Sequence, residues 1–428
     1  MPDPLRLGLA GLGTVGRGVV RIVQAEAALL AARAGRSVEI TAVSARDPAR
    51  DRGVALDGYA WEADPVALAR RDDIDVFVEL MGGSEGPALA ATRAALAAGK
   101  HVVTANKAML AHHGQELATI ADGAGLALRF EAAVAGAIPI VKTLTEGLAG
   151  NRIERVLGVM NGTCNYILTR MQSAGLPYDT VFAEAAKLGY LEADPTLDVG
   201  GIDAGHKLSL LAAIAFGTRV NFAGVHLEGI ERITIEDINR ARDMGYRVKL
   251  LGVAQMTGRG LEQRMTPCLV PADSPLGQLE NATNMVVVEG AASGRIVLMG
   301  AGAGEGPTAS AVMGDVMDIA RGLRVPVFGQ PAQALTEVPV AQSTTPAPYY
   351  LRLMLQDKPG ALAKIATILG NNGISIDRMR QYGHEEARAP VLIVTHKATR
   401  ADLDAALAQF PGTGVLAGDP VAIRIERL

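Results

Sequence analysis

Leu5-Arg6-Leu7-Gly8-Leu9-Ala10-Gly11-Leu12-Gly13-Thr14-Val15-Gly16 sets a short apolar run directly ahead of three glycines in the spacing GxGxxG. The run reads as a buried strand, and the residues beyond it, apolar through about Ala32, read as a helix. Each glycine has its own physical reason. Gly11 permits a tight turn, Gly13 lets a pyrophosphate approach the backbone, and Gly16 lets the helix pack on the strand. The first helical N–H groups, around Thr14 and Val15, would then aim at the phosphates. A GxGxxG alone is weak evidence, but between a strand and a helix it favours dinucleotide binding over a bare turn.

The same alternation continues downstream. Val38 to Val43 is a second strand ending at Ser44-Ala45-Arg46-Asp47, where such folds read the adenosine ribose. Arg46 suits a 2′-phosphate, while Asp47 or a water near Ser44 would serve a 2′-hydroxyl, so the corner leans to NADP without excluding NAD. Strands follow at Asp75 to Leu80 and His101 to Thr104, with a helix from about Pro87 to Ala98 between them. Their ends, at Gly82 and at Thr104-Ala105-Asn106-Lys107, fall on the carboxyl edge of a parallel sheet, where ligands bind. After a strand at Leu126 to Glu131 this unit closes, which bounds a dinucleotide-binding domain at 1–135. A second glycine-rich turn, Met299 to Thr308, precedes a helix at Ala309 to Arg321. That helix, with Gly304 at its entrance, would face the cofactor from the other side, so 305–330 completes the first domain.

Between these pieces, 136–304 reads as an α+β catalytic and dimerisation domain with a mixed sheet. Strands are expected at Ile153 to Met160, Lys249 to Gln255, Arg264 to Val270 and Met285 to Glu289, and Asn161 or Thr163 would cap a helix. This domain carries the densest charge in the chain, Gly189 to Leu208, with Glu192, Asp194, Asp198 and Asp203 ahead of Lys207. The run leads into an apolar helix stopped by Gly217. Asp203 and Lys207, four apart, share one face of that helix. Burial disfavours the ammonium and the carboxylate favours it, so Lys207 is poised to exchange a proton with a reacting oxygen. A structural ion pair is the bland alternative.

Pro331 to Pro348 reads as a linker. The last unit, 349–428, has the order βαββαβ, a ferredoxin-like arrangement. With 428 residues, a net charge of −4 and only Cys164 and Cys268, the chain shows no footprint for nucleic acid, no disulfide scaffold and no metal-ligand spacing. No stretch spans a membrane or reads as a signal peptide, so a cytoplasmic protein acting on a small molecule is expected.

In this order the motifs resemble those of the homoserine dehydrogenases that carry a C-terminal ACT regulatory domain. The resemblance rests on Gly11 to Gly16, Thr104 to Lys107, Glu131 to Pro139, Asn161 to Thr163 and Gly189 to Leu208, and for the ACT unit on Asp357 to Leu362 and Asn371 to Ile376. It implies reversible NADP- or NAD-dependent interconversion of L-aspartate 4-semialdehyde and L-homoserine, within threonine, methionine and isoleucine biosynthesis. Under it Lys207 is the proton donor and acceptor, oriented by Asp203; Lys107 is a second lysine between cofactor and substrate. Glu192 and Asp198 hold substrate polar groups. A monovalent cation, Na+ in most members, would sit at Glu131 with the carbonyls of Val134, Gly136 and Ile138, and its role is read as structural. The ACT unit implies an amino-acid effector, threonine first among the candidates, and a homodimer or homotetramer. Two rivals remain in view. One is a dehydrogenase for another oxo-acid or imine, the other a sensor that keeps both folds without catalysis.

Overall fold

The computed structural model describes residues 2–191, 194–341, 345–382 and 388–427. Its first sheet is parallel and six-stranded. In chain order the strands are β1 (Leu5–Ala10), β2 (Val38–Ser44), β3 (Ala60–Glu62), β4 (Val76–Glu79), β5 (His101–Thr104) and β6 (Leu128–Arg129), arranged β3-β2-β1-β4-β5-β6. The order reverses beside β1, which puts the crevice for a ligand next to the glycine turn that follows β1. Helices Thr14–Ala25, Pro87–Ala97 and Lys107–Gly123 connect the strands. Late in the chain the helix Glu305–Ala320 returns to this sheet: its Ala309, Val312 and Val316 share a core with Leu7, Val19 and Val78.

The second sheet is mixed and larger. Strands β7 (Ile153–Val159), β8 (Val225–Leu227), β9 (Tyr246–Thr257), β10 (Gly260–Pro271), β11 (Thr283–Gly290) and β12 (Gly294–Ala301) form its first part. Strands β13 (Tyr349–Gln356), β14 (Ile376–Gln381), β15 (Arg388–Thr395) and β16 (Val421–Ile425) form the rest. The order is β12-β11-β7-β9-β10-β16-β13-β15-β14, with β8 also on β10. The last four strands therefore keep the ferredoxin-like order while β16 lies parallel to β10, pairing Cys268 with Arg424 and Leu269 with Ile425. At this seam the buried Glu426 pairs with Arg264, with Arg424 at 2.6 Å and with Arg155 at 3.2 Å.

Several elements depart from expectation for local reasons. The first helix breaks at Glu26 and resumes at Ala27–Ala34. The strand expected at Leu126 to Glu131 keeps only Leu128–Arg129, because the chain tightens into a 3-10 turn at Glu131–Ala133. Strand β3 and the helix Pro65–Arg70 were not foreseen. The glycine-rich turn is shorter than expected: Met299–Ala301 belongs to β12, and the helix starts at Glu305 rather than Ala309. The stretch from Pro331 lies along the protein, Thr336 bridging Thr218 and Val340 bridging Leu261 around a buried Leu335. Among the described residues no helix is long and apolar enough to cross a membrane.

Candidate active site

The glycine turn has the predicted steric logic. Gly11 sits at φ +104°, and a Cβ there would lie 2.5 Å from the Leu80 carbonyl oxygen. At Gly16 a Cβ would lie 2.1 Å from the Gly11 carbonyl oxygen, whereas at Gly13 it would meet nothing within 4 Å. Two residues are thus glycine for lack of room, and Gly13 faces open space at the N-terminus of Thr14–Ala25. That is a cradle for a phosphate, so the residues fit a dinucleotide.

A cavity opens on each side of this turn. One, of about 580 Å³, is lined by Gly11, Gly13, Arg46, Asp47, Arg50 and Gly82 among others. Arg46 and Arg50 are exposed there. Arg52, in the same wall, is buried: it donates to the Arg50 carbonyl at 2.7 Å and to the Asp47 carbonyl, and lies over the Trp61 ring. Arg50 is thus a second cation at the ribose corner that the sequence reading did not single out.

The other cavity, of about 480 Å³, is lined by Thr14, Val15, Lys107, Asp198, Asp203, Lys207 and Gly304 among others. Lys207 lies in the helix Ile202–Phe216, five residues past its start and 8% exposed; Gly217 ends the helix in the left-handed conformation. Its ammonium meets Asp203 Oδ2 at 2.8 Å and donates to the Met160 carbonyl at 3.0 Å. The other oxygen of Asp203 meets the Lys107 ammonium at 2.9 Å. One carboxylate therefore bridges two lysines, one from each sheet's unit. Burial alone would push the Asp203 carboxyl up, but the Lys207 and Lys107 ammoniums outweigh it and hold it well below the usual carboxylate range. Asn161 completes the cluster. Its Oδ1 caps the helix Gly162–Ala174 at Cys164 N–H, and its Nδ2 donates to Asp198 at 3.0 Å and Asp203 at 3.2 Å. Asn161, not Thr163, is the cap.

Lys107 owes its place to a network under the sheet edge. Glu79, fully buried at the end of β4, accepts from Met81 N–H at 2.7 Å, Gly82 N–H at 3.1 Å and the Thr104 hydroxyl at 2.6 Å. Thr104 in turn accepts from Asn106 N–H, and Asn106 caps the helix that Lys107 begins. Thr104 thus lies beneath the cavities, its hydroxyl committed to Glu79, rather than in either lining. Glu79 was missed, since an acid ending an apolar strand has no sequence signature.

Glu131 is buried beneath the same region. Its carboxylate accepts the Val141 and Lys142 N–H groups, each at 2.8 Å, and burial raises it to about 6. Gly136, at φ +56°, presses against Gly302, where a Cβ would lie 2.6 Å from its carbonyl carbon. The Ile138 carbonyl already accepts from Ile140 N–H at 2.8 Å. A carboxylate with main-chain oxygens is a hard donor set and matches an alkali cation in type. Among the described residues no group of three or more His, Cys, Asp or Glu is placed to hold a metal ion. Glu192 lies outside the described residues.

Residues 139–317 match the family model for homoserine dehydrogenase, 11–131 that for the homoserine dehydrogenase NAD binding domain and 349–410 that for the ACT domain. The chain is similar to homoserine dehydrogenase of Neisseria gonorrhoeae, 41% identical over 99% of each. A homoserine dehydrogenase structure from Thiobacillus denitrificans superposes with a TM-score of 0.93 at 40% identity, covering 99% of this chain and 98% of that one. A hyperthermophilic archaeal homoserine dehydrogenase in complex with NADPH matches 74% of this chain and 97% of its own, with a TM-score of 0.63 at 26% identity.

Proposed function

The chain belongs to the homoserine dehydrogenase family of NAD(P)-dependent oxidoreductases, and on that premise we propose that the cavity between Lys107 and Lys207 takes L-aspartate 4-semialdehyde or L-homoserine. The observation that carries this is the Asp203 bridge, which presents two ammoniums to a cavity opening at the glycine turn. When bound, the nicotinamide exchanges a hydride with the substrate's C4 carbon. In the reducing direction Lys207 stabilises the negative charge growing on the aldehyde oxygen and passes it a proton; in the oxidising direction it accepts the proton of the alcohol. Asp203, held anionic, orients Lys207 and Lys107. Asp198 and Glu192 take the substrate's α-ammonium, because carboxylates select a cation without competing for the Lys207 proton.

Gly11, Gly13, Thr14, Val15 and Gly16 hold the pyrophosphate in this reading, flanked by Gly82 and Gly304. Arg46 and Arg50 favour NADP, whose 2′-phosphate a guanidinium can grip. Glu131, with the carbonyls of Val134, Gly136 and Ile138, holds a monovalent cation as a structural ion. The ACT unit binds an amino-acid effector, threonine first among candidates, in a homodimer or homotetramer. Its contacts with the helix Ile235–Asp243, Arg352 on Asp237 at 2.6 Å and Tyr382 on Asp243 at 3.0 Å, give an effector a physical route to β9.

Steady-state oxidation of homoserine with each coenzyme tests the reading. NADP+ should be preferred, and Arg46→Ala should weaken NADP(H) more than NAD(H); equal effects return Arg46 to the solvent. Glu192→Ala should raise KM for homoserine at least as much as it lowers kcat, and an unchanged KM removes it from the site. Millimolar threonine should lower the rate or change the oligomer of the full-length protein. If neither threonine nor another aspartate-derived amino acid does so, the ACT unit is scaffolding.

A further inference from the structure

Lys249, in the first half of β9, is completely buried at 0% exposure. Among the described residues it has no carboxylate within ion-pair distance. Its ammonium donates instead to Asn165 Oδ1 at 2.8 Å and to the Leu279 carbonyl. Burial lowers its pKa to about 8. A buried ammonium served only by neutral oxygens is costly, and an apolar residue would fill the strand without that penalty. The cost therefore points to something the ammonium does that a hydrocarbon cannot, namely hold two oxygens from separate segments together.

The contacts lead from Lys249 to the cavity. Asn165, buried on the helix Gly162–Ala174, donates its Nδ2 to the Asn281 carbonyl at 2.8 Å and toward the Leu279 carbonyl at 3.4 Å. Asn281 stands at φ +58°, in the left-handed region, which asparagine tolerates better than most residues, and its carbonyl is held by Asn165. The next residue, Ala282, lines the cavity, and a Cβ on Gly162 would lie 2.5 Å from its carbonyl oxygen. Gly162 follows Asn161, the donor to Asp198 and Asp203.

We propose that Lys249 is a positioning residue for the reaction: through Asn165 it fixes the Leu279–Asn281 turn against the start of the Gly162–Ala174 helix, and so sets the gap between the wall at Ala282 and the Asp198–Asp203 pair. This rests on the reading of that cavity as the substrate site. Misplacement of about an ångström far from the chemistry can cost ~10²-fold in rate. The effect should fall on the substrate side alone, because none of these contacts touches the glycine turn.

The test compares Lys249→Met, which keeps length and bulk, with Asn165→Ala and the double variant, measuring kcat and KM for homoserine and the Kd of NADPH. Expected are a fall in kcat/KM of about 10- to 10²-fold with NADPH binding nearly unchanged, a partial recovery in Lys249→Arg, and a double variant no worse than the poorer single one. Wild-type homoserine kinetics in folded Lys249→Met would overturn the proposal. So would an equal loss of NADPH affinity, or losses that add in the double variant. If Lys249→Met does not fold, Asn165→Ala carries the test by the same criteria. Lys207→Ala run in parallel separates the two readings. Activity retained there would refute the site assignment, whereas normal Lys249→Met beside an inactive Lys207→Ala would refute the positioning role alone.

Discussion

Asp203 and Asp315 are buried to nearly the same degree, 6% and 2% exposed, yet their protons are driven in opposite directions. Asp203 stands between two ammoniums, each within 2.9 Å, and is held ionised. Asp315, in the helix Glu305–Ala320, accepts the Glu131 N–H and lies beside the Glu131 carboxylate; its nearest cation, Lys142 at 3.8 Å, also pairs with Asp318. Burial first, and Glu131 second, raise Asp315 to about 8. Near neutral pH Asp315 therefore keeps its proton. Depth does not decide the charge of an interior carboxyl here; the count of cations around it does. Asp203 is met by two lysines, whereas Asp315 shares its one lysine with Asp318 and stands beside a second carboxylate, Glu131.

The largest break in this comparison comes from removing a cation at the cavity. Lys207→Ala should lower turnover by ~10²–10⁴ while leaving NADPH binding nearly intact, because a proton donor and a stabilising charge go together. A near-normal kcat would end the assignment. Asp203→Asn should come next. It removes the carboxylate that the buried Lys207 ammonium pairs with, and breaking a buried pair from one side costs ~3–5 kcal/mol, to be read from urea midpoints and Tm. The folded pKa of Asp203 lies below its unfolded value, so its contribution is present above the ordinary carboxylate range and is lost as the pH falls. The stability gap between wild type and variant should shrink below about pH 4, and a gap independent of pH would mean that charge is not the cause.

Asp315→Asn should act least and with the opposite slope. Between about pH 4 and 8 the folded protein keeps a proton on Asp315 that the unfolded chain has released, so wild-type stability falls as the pH rises through that window. Asparagine can still accept from Glu131 N–H but does not titrate. Tm of the variant relative to wild type should therefore rise from pH 5 to pH 8, by roughly 1 °C for each kcal/mol recovered in a chain of 428 residues. Parallel Tm curves would show that Asp315 is already charged in the folded protein.

What the sequence made legible is what a short local pattern records, whatever the distance to the group that imposes it. Gly11 and Gly16 each answer to a backbone oxygen in the turn or at the neighbouring strand's end, and the GxGxxG pattern records that. Asp203 and Lys207 sit one helical turn apart, so their pairing could be read from spacing. That Asp203 also holds Lys107 could not, because Lys107 arrives from the other unit and no local pattern encodes the meeting. Glu79 and Lys249 were passed over for a related reason. Glu79 is the one charge of β4 and Lys249 shares β9 with Arg247, and neither pattern tells a buried charge from one facing water. The first part of β12 escaped notice, and Gly300 and Gly302 made its end look like the turn that follows.

The seam between β10 and β16 bears on how such a protein can be recombined. Arg264 and Glu426 are buried on opposite sides of it, and Glu262 stands 3.3 Å from Arg264. Losing Glu426 would leave Arg264, Arg424 and Arg155 together in the interior without their shared acid, at ~3–5 kcal/mol, whereas losing Arg264 leaves Glu426 with Arg424 and Arg155. Exchanging the ACT unit between relatives is consequently not a matter of cutting in the proline-rich stretch. The graft has to bring an acid to the position of Glu426, and a chimera that lacks it, leaving Arg264 and Arg155 to face the seam without it, should be destabilised at folding.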